Sequence, residues 1–554
     1  MCEASKAGIR ATLAVDLLTI VFLTLFMRVY GIQDESVWMD EFLSANYLDR
    51  PDVSSFLAEQ RRENWEMVPL YYVLEYGWSR LYPGNMVWVR LLSVLFSLVS
   101  AVLVYCMGRR FLNRTAGGVG ALMFALSPFQ LFHGQEIRPY ALVTLLALLS
   151  SAAFLEWHAR NKPVMLVVHL CANLLILWTH LLSPILFVVQ GVFLLSTRIR
   201  KPSLWAPWLA AHVVIIGSIF FALAGITRAP DPTIPRPQVG DLWDFITGPL
   251  VYHNGSLIHS AFLNESEYIR WTVGFPGKYG ASGLSETAML LIQIRHPLEL
   301  ALGRICLVSL VFVALSLFLR RRTVVSEDPA SSSGAALILY AYLAFLGSLV
   351  LLFLLCRFWK MHVFQGRYII YAWPFLYLLC GAAVAQMRFR PAKALLATVF
   401  VGAMSLLGLT GILLPLRIDY QGASRYIGSS GSANYDLFVD DYNTHRLLLF
   451  NMHSPPPPWE ICFEPERMAT LLDTALKRNR DAWIVYCGEG STPRRNQLLE
   501  YAHAKGLPHS WRVFLGMQNL IVYHFSPEPV AERSESEESP GTIAPMVSRP
   551  VNGN

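Results

Sequence analysis

Long apolar runs, each closed by a short polar or charged turn, set the pattern of this chain. Runs of about 17–25 residues are long enough to cross hydrocarbon as helices. They occur near residues 9–30, 86–107, 117–133, 140–157, 163–180, 182–197, 206–226, 299–319, 335–356, 367–386 and 391–415. The pattern predicts an α-helical integral membrane protein with about eleven transmembrane helices. No small-residue cleavage site follows the first run, so it reads as an anchor rather than a removable signal.

The turns carry the second signal. "RRFLNR" (109–114), "HARNK" (158–162), "TRIRKPS" (197–203), "RRRT" (320–323) and "MRFRPAK" (387–393) are every second turn, all on one side, and all short and basic. Such turns stay on the cytoplasmic side. The expected topology is N-terminus inside and C-terminal region outside, in the cell inner (plasma) membrane. With 54% hydrophobic and 15% charged residues, the net charge of +6 is explained by these turns, and no nucleic-acid partner is implied.

The outside then receives the segment 31–85, a long loop at 227–298, and everything past residue 416. Within 31–85, "EFLSANYL", "DVSSFLAEQ" and "PLYYVLEYGWSRLY" set aromatic faces against polar ones. They read as helices in the membrane interface, with Trp65, Tyr71, Tyr72 and Trp78 at headgroup depth. Residues 1–416 form the membrane domain. Residues 417–525 predict a small extracytoplasmic α/β domain, with "YDLFVDDY", "DAWIVYCG" and "NLIVYHF" as strands and "PERMATLLDTALKRN" as an amphipathic helix. Residues 526–554 have the Pro, Glu and Ser bias of a disordered tail. Of eight cysteines, Cys462 and Cys487 lie in the polar C-terminal region, where an oxidising compartment would let them pair.

Candidate chemistry collects on the outer side. Asp40 and Glu41 follow the first run closely. Asp40 is open to two readings: an N-cap for the next helix, or a general base at the membrane surface whose pKa burial and neighbouring carboxylates would raise. "HGQEIRPY" places Glu136, Arg138 and Tyr140 at the mouth of the fourth run. Arg90 and Arg367 stand at two further outer mouths, with Arg357 and Lys360 near the second. Outer arginines run against the charge rule, and their fork suits phosphate oxygens. His180 reads as an interfacial histidine, with ligand and proton-carrier roles open; His133 and His362 are weaker candidates. No metal-binding or nucleotide-binding signature stands out, and a divalent metal cofactor is left open.

The order of "SVWMDEFLSA", "PLYYVLEYGWSRLYP", "VRLLSVLFSLVSAVLVYCMGRRF", "SPFQLFHGQEIRPYAL", "LWTHLLSP", "GRYIIYAWPFLYLL" and "DYQGASRYIG" resembles the polyprenyl-phosphate-sugar-dependent glycosyltransferases of the GT-C fold. Among them it is similar to the bacterial protein O-mannosyltransferase-like group that includes the galacturonosyl and aminoarabinosyl transferases of lipopolysaccharide. The resemblance spans about residues 9–430. It implies a polyprenyl-phosphate-linked sugar donor, an acceptor hydroxyl on a lipid, glycan or protein, and attack on the anomeric carbon at the bilayer surface. It puts Asp40 in the place of the family's base, supported by Glu41. Arg90 matches the arginine opening the second helix; Glu136, Arg138 and Tyr140 match a "QEARPY"-like element, and Arg367 an "RY" before a late helix. Charge and side suggest Arg90, Arg138 and Arg367 for the donor phosphate, and Glu136, Tyr140, His180 and Glu66 for the remaining substrate contacts. Where such proteins often read "HPPLYY", this chain has "MVPLYY", with Met67 and Val68 replacing histidine and proline. The usual role of that element, including any metal contact, does not carry over directly. A transporter or flippase of lipid-linked saccharides, or a membrane polysaccharide polymerase or ligase, is the alternative class.

Overall fold

The structure, a computed structural model, describes residues 2–63, 68–199, 201–223, 237–239, 286–323, 329–358, 363–413, 417, 419–429, 434–452, 458–487, 492–514 and 520–527. Trp65, Glu66, Lys360, His362, most of the loop 227–298 and the tail from 528 lie outside them. The described residues form two compact units, one running to Arg417 and the other starting after it.

The first unit is helical. Its opening helices are α1 (Cys2–Val29), α2 (Met39–Ala45), α3 (Val53–Glu63), α4 (Pro69–Ser79), α5 (Met86–Phe111), α6 (Arg114–Leu126), α7 (Pro128–Gly134), α8 (Tyr140–Arg160), α9 (Pro163–Leu177), α10 (Pro184–Arg198) and α11 (Pro202–Leu223). Later helices include Glu286–Thr323, Ser348–Phe358, Trp373–Gln386 and Arg390–Leu413. Among the described residues, seven helices are long and apolar enough to span, or eight if one bent pair counts as a single span. The sequence predicts eleven. Three of its runs survive only as shorter apolar helices, Pro163–Leu177, Pro184–Arg198 and Trp205–Ile219, the first two starting at a proline. A fourth, 117–133, is α6 and α7, bent by 60°.

That bend has a sequence cause and a tertiary remedy. Pro128 lacks the N–H that would bond the carbonyl of Phe124, so α6 cannot continue. Ser127 caps the new start by accepting from Gln130 N–H. The freed carbonyls are taken up by Arg28 at the end of α1. Its Nη1 donates to Ala125 O at 2.9 Å, its Nη2 to Phe124 O at 3.3 Å, and its Nε to Ser97 Oγ at 2.5 Å. Midway along α1, Asp16 accepts from Arg114 and from Tyr105. Helices α5 and α6 pack at backbone contact, since a β-carbon on Gly108 would stand 2.5 Å from the Gly117 α-carbon.

Helices α2, α3 and α4 form as the amphipathic pattern predicts, but the aromatic face is not left at the headgroups. Tyr71 and Tyr72 are buried within the protein. Trp78 stacks on Trp88 at 4.6 Å, each indole N–H bonding the other's carbonyl.

The second unit is an α/β layer. Strands β1 (Tyr435–Val439), β2 (Trp459–Ile461), β3 (Asp481–Cys487), β4 (His509–Phe514) and β5 (Leu520–Phe525) lie in the order β2-β1-β3-β5-β4. β1 pairs in parallel with β2 and β3, whereas β5 pairs antiparallel with β3 and β4. The helix Pro465–Lys477 buries Met468 and Leu472 against Phe438, Ile484 and Tyr523. The sequence reading finds β1, β3 and β5 but not β2 and β4, which are short or polar at alternate positions. Cys462 and Cys487 are free thiols, so the pairing anticipated for them is not present.

Candidate active site

Glycine starts the site. Gly31, at φ 68°, ends α1 in the left-handed conformation, and the chain turns back towards α5. The turn is held by Arg90, which donates to the carbonyls of Ile32 (2.8 Å), Glu35 (2.7 Å) and Ser36 (3.1 Å). Its Nε and Nη2 go to Glu41, at 3.0 and 2.7 Å. A guanidinium has five N–H groups, and these bonds commit them all. Arg90 therefore fixes the turn and Glu41 and has no N–H left for a donor phosphate, the role its position suggested.

Asp40 and Glu41 are neighbours with different surroundings. Trp38 occupies the N-cap of α2 and no side chain caps it, which removes the capping reading of Asp40. Glu41 is fully buried and accepts from Arg90, from Arg417 Nη1 at 2.7 Å and from the Ile137 N–H at 3.1 Å. Burial opposes its ionisation, yet Arg417 and Arg90 hold its carboxyl below the usual range. Glu41 thus joins the loop, α5, the 133–140 segment and Arg417 as a positioning group. Asp40 is paired with Arg367 and keeps some exposure. Burial again opposes ionisation, but the guanidiniums of Arg367 and Arg138 outweigh it and lower its pKa. The raised value expected for a membrane-surface base is reversed, because cations and not carboxylates surround it.

Arg138 is buried and donates to the hydroxyls of Ser44 (3.4 Å) and Tyr72 (3.3 Å). It lines a cavity of about 200 Å³. His180, Tyr72, Tyr140 and Tyr368 share its polar end, and Leu177, Leu182, Ile216 and Val363 its apolar wall. His180 is buried rather than interfacial, as its position had suggested. Burial first, then Arg138 and Arg367, push its pKa down to about 3, so the ring is neutral. Its Nδ1 has no hydrogen-bond partner among the described residues. Glu136 does not face this cavity's anion end. Its Oε2 lies 2.7 Å from His133 Nδ1, and both side chains are buried. His133 is edge-on to Phe129, Phe132 and Tyr140. Arg357 is exposed near the end of its helix.

Two participants escape the sequence reading. Arg417 closes the last apolar run on the outer side, the same signal that singled out Arg90 and Arg367. Glu75, within "PLYYVLEYGW", is fully buried on α4, and burial raises its pKa far above the ordinary value despite Arg138 nearby. Among the described residues no three His, Cys, Asp or Glu side chains gather as a metal-binding group.

No family model matches the chain, and no curated protein sequence is recognisably related to it. In structure it is similar to ArnT from Cupriavidus metallidurans bound to undecaprenyl phosphate, at 13% identity and TM-score 0.48, covering 93% of this chain and 98% of that one. It is also similar to the archaeal oligosaccharyltransferase AglB from Archaeoglobus fulgidus in complex with an inhibitory peptide and a dolichol-phosphate, at 11% identity and TM-score 0.47, covering 90% and 72%.

Proposed function

We propose that this chain is a membrane glycosyltransferase that moves a sugar from a polyprenyl-phosphate-linked donor to an acceptor hydroxyl. One observation carries the reading. An ionised carboxylate, Asp40, stands among the guanidiniums of Arg367 and Arg138, and Arg138 also lines an apolar cavity. A phosphate on an isoprenoid tail needs that pairing of cation and apolar wall, and a hydroxyl nucleophile needs the carboxylate. The order of sequence motifs supports the same class over transport.

In this reading the lipid phosphate lies against Arg138 and Arg367, with His180 and Tyr140 at its flank. Asp40 accepts the hydroxyl proton as the oxygen bonds to the anomeric carbon and the carbon–phosphate oxygen bond breaks. The arginines take up the charge that develops on the departing phosphate. A single in-line displacement inverts the anomeric centre. Arg367 links the two halves: as it turns to the phosphate it releases Asp40, whose affinity for a proton then rises. Glu41 and Arg90 position Asp40. Glu66 lies outside the described residues, and no step of this reading requires a metal. The basic turns support an orientation with this site and the α/β unit on the extracytoplasmic side of the inner membrane.

The deciding experiment follows release of free polyprenyl phosphate from a panel of short-chain polyprenyl-phosphate sugars. Release by the parent and not by Asp40→Asn, from one sugar, is the expected result. Near-normal release by Asp40→Asn overturns the assignment of the base, and no release from any donor that binds overturns the transfer reaction.

A further inference from the structure

Arg28 is the second-to-last residue of α1, where an arginine can reach out to water at the bilayer surface. It turns inward instead and is fully buried. Its partners are the carbonyls of Thr24, Phe124 and Ala125 and the hydroxyl of Ser97, and no carboxylate pairs with it among the described residues. A guanidinium cannot shed its charge inside a protein. An uncompensated cation at this depth is costly and calls for a task. A neutral donor would serve the same carbonyls at lower cost.

What Arg28 holds is α7. With seven residues, α7 is too short to stand alone. Arg28 fastens it at both ends. At its start, the guanidinium takes the carbonyls of Phe124 and Ala125, next to the break at Pro128. At its finish, Gln135 Nε2 donates to the Arg28 carbonyl at 2.9 Å, and Gly134 lies directly on the Arg28 side chain. A β-carbon at Gly134 would stand 2.8 Å from Arg28 Nε and 3.0 Å from Ser97 Oγ, so any larger residue must displace the guanidinium. The chain then runs straight into the site. Ser93 Oγ donates to the Glu136 carbonyl at 2.6 Å, and the Ile137 N–H bonds Glu41 at 3.1 Å. Arg138, four residues after Gly134, lines the cavity.

We propose that Arg28 is a positioning residue for the donor phosphate: it clamps α7 against α1 and α5, and the clamp sets where Arg138 stands in the cavity. What Arg138 binds rests on the donor-phosphate reading above; the clamp rests on the contacts of Arg28 alone. The role needs the shape of the guanidinium as well as its charge. Nη1 and Nη2 span two successive carbonyls while Nε holds Ser97, a spread that a single ammonium nitrogen does not offer. Arg28 does not line the cavity, so its effect reaches a ligand only through residues 134–138.

The test uses the full chain in detergent and two readouts. Hydrogen exchange followed by mass spectrometry reads the segment itself. Amides of residues 128–138 are expected to exchange about tenfold faster in Arg28→Met and in Gly134→Ala than in the parent, as the local opening energy falls, while α9 and α10 exchange as before. Unchanged exchange at 128–138 in both variants overturns the clamp. Should Arg28→Met fail to fold, Gly134→Ala, which keeps every polar group, decides alone. Calorimetry with a farnesyl methyl phosphodiester reads the ligand. Both variants are expected to weaken binding about tenfold, the worth of one hydrogen bond to a charged group, with Arg28→Lys between them and the parent. In an Arg138→Ala background, Gly134→Ala is expected to cost nothing further. An equal cost with and without Arg138 leaves Arg28 a structural role only and overturns the proposal. A parent that does not bind the diester overturns the donor reading and the positioning of a phosphate with it, while exchange still decides the clamp.

Discussion

Two buried polar regions of the helical unit use opposite chemistry. Across α8 to α11 and the later helix Pro329–Tyr342, Ser150, His169, Asn173, Gln190, Trp208, His212 and Tyr340 form a neutral network. Asn173 donates to Gln190 (2.9 Å) and His212 (2.7 Å), Ser150 to Asn173 (2.6 Å), Gln190 to Ser150 (3.0 Å) and Trp208 to His169 (2.9 Å). No side-chain polar atom of these residues is left unpaired. The region around Asp40 and Glu41 is ionised, with four guanidiniums, and keeps unpaired atoms on Glu75, His133, Glu136 and His180. A saturated neutral network suits holding helices together. A charged cluster with unspent donors and acceptors suits a ligand.

The largest expected effect separates these regions by function. Asp40→Asn should lower turnover by about 10²–10⁴-fold, the usual contribution of a general base, while size-exclusion and unfolding profiles match the parent. Asn173→Leu should leave turnover within a few-fold of the parent. If Asn173→Leu abolishes transfer with the fold intact, the neutral network belongs to the site and the contrast breaks.

Next in size is the cost of breaking each region. Glu41→Ala leaves two buried guanidiniums uncompensated and should cost about 3–5 kcal/mol, read by thermal unfolding. Asn173→Leu should cost about 1 kcal/mol, as for other polar contacts between membrane helices. Equal costs would mean that the charged cluster is no more essential to the fold than the neutral one.

The pH dependence sharpens the comparison within the charged region. Asp40 and Glu41 have folded values below their ordinary 3.8 and 4.5. Their contribution to stability is present above those values and lost as the pH falls through the depressed ones. Glu75 has the opposite sign: raised far above 4.5, it contributes fully below that pH and loses its contribution as the pH rises through its folded value. Acid should destabilise the parent and Glu75→Gln alike, whereas alkali should destabilise the parent more. Parallel alkaline melting curves would count against a neutral Glu75. The smallest expected effect lies outside both regions. Reductant should leave the unfolding midpoint unchanged, because Cys462 and Cys487 are free.

Much of the site was legible because charge at an outer helix mouth is conspicuous against an apolar chain. Asp40, Glu41, Arg138, Arg367 and His180 all stood out that way and all converge. Arg90 stood out equally, and its assigned task differs, because spacing does not report how many of its N–H groups the backbone takes. Glu75 was hidden inside an amphipathic aromatic helix, where a carboxylate looks like part of the polar face. Arg28 was hidden at the end of an apolar run, since its partners, the carbonyls of Phe124 and Ala125, are about a hundred residues away and become available only when Pro128 breaks α6.

The sequence by itself determined which segments are apolar enough to cross a membrane, where proline and glycine stop them, and which ends carry charge. Those are properties of a residue and its near neighbours, set by transfer free energy and backbone geometry. The tertiary structure decided the ionisation and duty of each charged group. Asp40 is held below its ordinary pKa by Arg367, more than three hundred residues away, and Glu75 is raised by burial that no local pattern shows. Electrostatics inside a protein depends on distance and on exclusion of water, and both come into being only when the helices pack.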